Sequence, residues 1–406
     1  MVASTHHVWF IFLAVGLVVL VISGLYATSR LVAAVRQRGA SPRAIRILRW
    51  ASAWLLYGYP LVILVAIVAS LVRGSANFPR FDGRVASWLL ALPFIWSLLV
   101  VLQSLPWLVA NDLAYLAVRR RRGASTAARA RGLAILVILG GFAIYTPARI
   151  LIQRGELHLR DYRVGPATTG TPLHIAFLAD IQQDVHTDGD DAREIYARVN
   201  ARHPDLVLSG GDWINTGPDY IESAAAAAGT LQSRLGTFSV RGDHEHFAYR
   251  DRERSAGEIT AAMAAHGVTM LDNEVRRFTH NGKRIAILFL SYNYIHRTPA
   301  ATVATLVASL APADYTIVVT HQLNSELAAL LQDKVNLVLA AHTHGGQVNP
   351  VVGLVHVPLA RLETPFINGR YELGRTTIIV TAGIGYSVVP IRYAAPSSIE
   401  LIDLAL

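Results

Sequence analysis

The residues most able to do chemistry in this chain are His342-Thr343-His344-Gly345-Gly346-Gln347, which follow the apolar run Val335–Ala341. Alternate residues on an extended backbone point the same way, so two imidazoles two positions apart can enter one metal site, and the glycines let the chain turn beside it. An HxH pair alone is weak evidence. Four earlier apolar runs, however, also end in residues that bind metals. Leu173–Ala179 ends in Asp180-Ile181-Gln182, and Leu206–Leu208 runs into Ser209-Gly210-Gly211-Asp212. Thr237–Val240 runs into Gly242-Asp243-His244-Glu245, and Tyr315–Thr320 ends in His321. In open α/β sheets, ligands gather just beyond the carboxyl ends of the strands, where these side chains fall.

The elements needed to position them are visible as alternation. Glu156–Val164 reads as an opening strand, and Arg284–Ser291 and Thr377–Thr381 add two further apolar runs. Helical stretches are expected at Asp190–Arg202, Asp219–Arg234, Arg252–His266, Ala300–Leu310 and Ser325–Gln332. Strand–helix alternation over residues 156–406 predicts an α/β domain with a substantial core.

This series of strand ends resembles the calcineurin-like metallophosphoesterases, whose signature is D-x-H, G-D, G-N-H-D/E, H and G-H-x-H. The likeness is to the membrane-attached bacterial branch, which continues the last motif as H-T-H-G-G-Q. Ala382-Gly383-Ile384-Gly385, followed by Pro390-Ile391-Arg392, is similar to that branch's closing segment. The resemblance covers roughly Leu173 to the C-terminus. It implies a two-sheet β-sandwich flanked by helices, with a two-metal site that hydrolyses phosphate esters. Carried over, it gives Asp180, Gln182, Asp212 and His344 to one metal, and Asp212, Asp243, His321 and His342 to the other, with Asp212 bridging. His244 becomes the imidazole that assists the leaving oxygen, oriented by Glu245. Two ions about 3.5–4 Å apart can activate water and clamp phosphoryl oxygens, and a nearby imidazole can protonate the departing alkoxide.

Three positions depart from the pattern: Gln182 replaces His, Asp243 replaces Asn and Ala341 replaces Gly. The extra carboxylate and the amide make a harder, more anionic donor set, which favours Mn²⁺, with Fe, Mg²⁺ or Zn²⁺ as alternatives. The same departures support a second reading, a catalytically degenerate domain serving as a ligand-binding or regulatory module. Asp184-Val185-His186 matches D-x-H literally but lies four residues beyond the strand end, so Asp180 is the expected first ligand, with His186 as a substitute for Gln182. Arg392 and His246 are candidate substrate contacts, the first because a guanidinium can engage phosphate bidentately.

Residues 1–150 are of another kind. Val8–Thr28, Ala51–Val72, Ala86–Ala110 and Gly132–Ala148 lack charge and approach or exceed the roughly 20 residues of a membrane helix. The net charge of +9 is divided: residues 1–149 carry +14 and residues 150–406 carry −5. The basic surplus is therefore no nucleic-acid footprint, and none is expected as partner. Six arginines lie in Arg30–Arg49 and six in Val118–Arg131, against three in Arg73–Arg84. Positive-inside then puts the first two loops in the cytoplasm. The expected protein is a multi-pass cell-membrane (inner-membrane) phosphoesterase with its catalytic domain outside the cytoplasm. Its expected substrate is a phosphomonoester or phosphodiester, with a lipid-linked one suited to the tether. The spans carry none of the intramembrane charges that mark a conduction path.

Overall fold

The structure, a computed structural model, describes residues 2–72, 85, 87–166, 170–387 and 389–406. The chain divides into two compact units, Met1–Ile152 with Pro350–Val357, and Gln153–Asn349 with Pro358–Leu406.

Among the described residues the first unit contains four long helices: α1 (Val2–Arg36), α2 (Pro42–Val72), α3 (Leu92–Arg122, preceded by a π-helical turn, Ser87–Ala91) and α4 (Ala124–Arg154). Stretches of 21 to 36 residues in these helices are long and apolar enough to cross a membrane. The expected spans Val8–Thr28, Ala51–Val72 and Gly132–Ala148 fall within α1, α2 and α4, while Ala86–Ala110 begins at a residue outside the described ones and runs through the π-helical turn into α3. The loop Arg73–Arg84 lies outside the described residues. Large apolar side chains such as Ile22, Leu64, Val137 and Ile144 point outward, as suits helices solvated by lipid. Between helices the contacts are polar and specific. Buried Gln103 donates to Thr146 Oγ1 at 3.1 Å, and Trp96 donates to the Ala143 carbonyl at 3.0 Å. Asp112 on α3 takes Arg30 of α1 at 2.7 Å, Arg131 of α4 at 2.6 Å and the Tyr26 hydroxyl at 2.8 Å.

The second unit is a two-sheet sandwich. One sheet has the order β1 (Leu157–Val164), β14 (Ser397–Leu404), β2 (Leu173–Leu178), β3 (Leu206–Ser209), β4 (Thr237–Ser239), β5 (Val268–Met270). The other runs β12 (Gly369–Leu373), β13 (Thr376–Val380), β9 (Leu337–Ala340), β8 (Tyr315–Thr320), β7 (Lys283–Leu290), β6 (Glu274–His280). The central strands read as unbroken apolar runs because both faces are covered. In β3, Leu206 and Leu208 face the other sheet while Val207 faces helices; in β8, Ile317 and Val319 face inward and Val318 outward. The inter-sheet core is completed by Phe177, Phe289, Ile285, Leu339 and Ile402. Helices α5 (Gly189–Asn200), α6 (Ile221–Ala228) and α7 (Arg252–Ala265) cover the first sheet, and α8 (Ala300–Ala308) and α9 (Ser325–Leu331) cover the second.

The helix expected over Asp219–Arg234 is shorter than its pattern. It ends at Ala228, where Gly229 follows and Thr230 turns back, bonding the Ala227 carbonyl through both its backbone N–H and its hydroxyl. Strand β14 escapes a hydropathy reading because Ser397, Ser398 and Glu400 are buried polar residues in it.

Candidate metal centre

Parallel pairing of β2 with β3 and β3 with β4, and of β7 with β8, β8 with β9 and β9 with β13, brings the strand exits together. Just past β2, the Asp180 and Gln182 amides donate to the carbonyls of Gly211 and Asp212, each at 2.9 Å, which locks two of the exits in register. Two trios result. Asp180, Asp212 and His344 bring one ligand atom each to within 4.8 Å of one another, and so do Asp243, His321 and His342. Asp212 lies between them, its Oδ2 3.5 Å from His321 Nε2. Asp180, Asp212, Asp243, His321 and His344 are buried.

The backbone is held in an uncommon shape to do this. Asp180, Gln182, Asp212, His342 and His344 all have φ between 45° and 73°, the left-handed region that costs a non-glycine residue free energy and concentrates at functional sites. Two glycines allow the close approach. A Cβ on Gly242 would lie 2.1 Å from Asp212 Oδ1, and one on Gly383 would lie 2.6 Å from the Asp180 Cβ. Ala341 is accommodated because it faces Gly210: a Cβ there would meet its methyl at 2.7 Å.

The imidazoles are oriented from behind. His321 Nδ1 donates to the Gly210 carbonyl at 2.8 Å, which turns Nε2, the ring nitrogen that could ligate an ion, toward Asp243 Oδ2, 3.3 Å away. His342 faces Asp243 through Nδ1 at 3.2 Å and Glu363 through Nε2 at 3.2 Å. Glu363 in turn accepts from the Tyr294 hydroxyl. Asp243 Oδ1 accepts the Tyr294 N–H at 2.6 Å, and its Oδ2 accepts from Gln322 at 3.1 Å. Sequence reasoning missed Glu363, Tyr294 and Gln322, which sit in loops with no periodicity to mark them.

Burial drives the protonation pattern, and neighbouring charges then divide it. Asp180 is pushed up to about 7 by burial and the Asp212 carboxylate, against the pull of His321. His342 would be lowered by burial, but its bonds to Asp243 and Glu363 carry it up to about 9, and His321 is raised well above its usual range by the surrounding carboxylates despite complete burial. Asp243 is held low against burial by His321 and His342. His344, buried and near Arg392, is pushed well below the usual imidazole range. A pocket of three carboxylates that raises two imidazoles is one that attracts cations. Its oxygen and nitrogen donors suit hard or borderline divalent ions.

Gln182 fits the first trio. Its Nε2 lies 3.1 Å from Asp212 Oδ2 and 3.0 Å from His344 Nε2, while Oε1 is buried without a partner. The two ends of an amide are isosteric, so a half-turn puts Oε1 among those donor atoms. Asp184 is occupied otherwise. It caps a turn through the His186 and Thr187 N–H groups and accepts from Asn215, and neither Asp184 nor His186 joins the trios.

Three expected roles are corrected. Glu245 does not orient His244. It is fully buried and accepts the backbone N–H groups of Asp212, Trp213 and Gly242 at 2.6 to 2.9 Å, and the His244 ring is set by the Asn215 carbonyl at Nδ1. Nε2 of His244 is thereby turned toward Asp212 Oδ2, 3.9 Å away. Arg392 is no substrate contact: it is 1% exposed, and its guanidinium donates to the carbonyls of His344, Ala382, Ala395 and Gly385 at 2.8 to 3.2 Å. His246 is buried against His296, ring centroids 4.9 Å apart, and lines a separate cavity of about 320 Å³ with Arg241, Asp272 and Arg297.

Residues 173–346 match the model of the calcineurin-like phosphoesterase family. An uncharacterized metallophosphoesterase of Campylobacter jejuni is 27% identical over 282 residues, 66% of this chain and 68% of the relative. One from Helicobacter pylori is 29% identical over 236 residues, 57% of this chain and 60% of its own length. A bovine transmembrane protein with metallophosphoesterase domain is 28% identical over 245 residues, 57% of this chain and 53% of its own. The chain thus spans between about half and two thirds of the length of these relatives. The family match contains every member of both trios, so the part of the chain that is similar to the calcineurin-like phosphoesterases is the part that builds the site.

Proposed function

We propose that this protein is a membrane-anchored phosphoesterase that hydrolyses a phosphomonoester or phosphodiester, one carried on a lipid being the substrate most suited to its tether. The observation that carries the reading is the pair of trios, Asp180/Asp212/His344 and Asp243/His321/His342, with Asp212 between them. In this reading Asp180, Asp212, His344 and Gln182 hold one divalent ion, and Asp212, Asp243, His321 and His342 hold a second, Mn²⁺ being the best match to the donors. Two ions bound there would acidify a water and neutralise phosphoryl charge. The chain's own groups do the rest. Asn215 keeps the His244 Nδ1 proton engaged, so Nε2 is the atom that can carry a proton to the leaving oxygen. Glu245 holds the loops of Asp212 and Gly242 at a fixed spacing.

Asp212→Asn should reduce bound metal to substoichiometric levels and lower hydrolysis of a chromogenic phosphodiester in Mn²⁺ by at least about 10³-fold, with the circular dichroism spectrum unchanged. Undiminished hydrolysis would sink the assignment. The second reading, a degenerate binding module, draws on the Gln182 amide, which already bridges Asp212 and His344. A well-folded wild-type protein that stays metal-free in millimolar Mn²⁺ would favour it.

A further inference from the structure

Residues Val348 to Ala360 contain no Asp, Glu, Lys or Arg. Within this stretch Val351–Val352 pairs antiparallel with Val355–His356 around Gly353, which takes φ 66°. Isolated two-stranded hairpins are at best marginal in water, and those that face water carry polar tips. This one presents Leu354, 88% exposed, and Val355, 65% exposed, and the chain beyond continues with exposed Val357, Leu359 and Leu362. None of these side chains belongs to an apolar core among the described residues.

The hairpin's place in the fold says what covers it. Although the sequence on both sides belongs to the sandwich, Pro350–Val357 packs with the helical unit, where Val351–Val352 lies against Leu92–Arg122. That unit already exposes Ile22, Leu64, Val137 and Ile144 along helices fit to cross a bilayer. The exposed apolar tip belongs by packing to this same unit, and a short apolar segment next to spanning helices meets the conditions for interfacial insertion. Its flanks matter as well. His344 and Gln347 precede it, and Glu363, which bonds His342, follows it.

The geometry points to Val351–His356 as a membrane-inserting hairpin whose tip, Gly353 to Val357, sits among the acyl chains of the bilayer that takes the four helices. It is a fifth lipid contact of the protein, made by sequence that interrupts the catalytic domain.

The chain has no cysteine, so a single label can be placed cleanly. The full-length Leu354→Cys variant would carry an environment-sensitive fluorophore in phosphatidylcholine nanodiscs. Glu222→Cys, on a side chain 78% exposed, serves as the water reference. At Leu354, emission should be blue-shifted, quenched at least about twofold by lipids brominated on the acyl chain, and protected from iodide; the reference should behave oppositely. Iodide quenching at Leu354 without quenching by brominated lipid would overturn the proposal. So would blue-shifted emission that brominated lipid leaves untouched, because protein rather than lipid would then cover the tip.

Discussion

Asp212 makes more use of its atoms than any other residue of the cluster. Its N–H is held by Glu245, its Oδ1 accepts the His244 N–H at 2.8 Å, and its Oδ2 meets Gln182 and His321. A residue so committed is readable from sequence because it sits at the end of an apolar run and carries a carboxylate. The residues that steady the ligands are harder to read. Asn215, Gln322 and Glu363 are ordinary polar residues in loops, and only the fold reveals that they face imidazoles or carboxylates. Arg392 shows the opposite error: a guanidinium near a phosphate site suggests binding, yet four carbonyls occupy it. Arg392→Lys should therefore leave KM within about twofold in the protein that folds, and destabilise it by about 3 kcal/mol in urea titration, since an ammonium cannot reach all four acceptors. A tenfold rise in KM at unchanged stability would restore the substrate role. Gln182→His should slow metal loss to a chelator by about tenfold, because imidazole binds more strongly than an amide; equal loss rates would place Gln182 outside the coordination sphere.

Strand exits are the elements that make the site, and their legibility follows from physics. Strands covered on both faces need continuous apolar runs, so β2, β3, β7, β8 and β9 stand out, and the polar residue ending each run is conspicuous. Edge strands give no such signal. β6 alternates between half-buried and exposed residues and β12 likewise, while β14, an interior strand between β1 and β2, hides its register behind buried Ser398 and Glu400. Between the exits, Glu245 is the connection that matters most, since one carboxylate gathers amides from the loops after β3 and β4. Glu245→Gln would set an NH₂ group against at least one of these donors. It should lower stability by about 2 kcal/mol and reduce kcat, while purified protein still binds two metal equivalents at saturating Mn²⁺. Full activity and unchanged melting would show that the loops are spaced by other contacts.

For the molecule as a whole, charge is partitioned: a basic helical half and an acidic sandwich. By the positive-inside rule the arginine-rich segments on either side of α2 and α3 predict a catalytic domain outside the cytoplasm, so a C-terminal alkaline phosphatase fusion, active only after export, should be active in intact cells. A C-terminal reporter that works only in the cytoplasm should stay dark, and the reverse pair of results would invert the topology. Asp112 steadies the basic end by drawing Arg30 and Arg131 to one carboxylate. The left-handed backbone at five site residues has a consequence for genetics. Folding must hold Asp180, Asp212 and His344 in a conformation that glycine adopts freely. Loss-of-function alleles that place glycine there would relieve that tension, so their products should accumulate to higher steady-state abundance than the wild-type protein. Inactive alleles of this gene would then be found by assay rather than by a missing band on a blot.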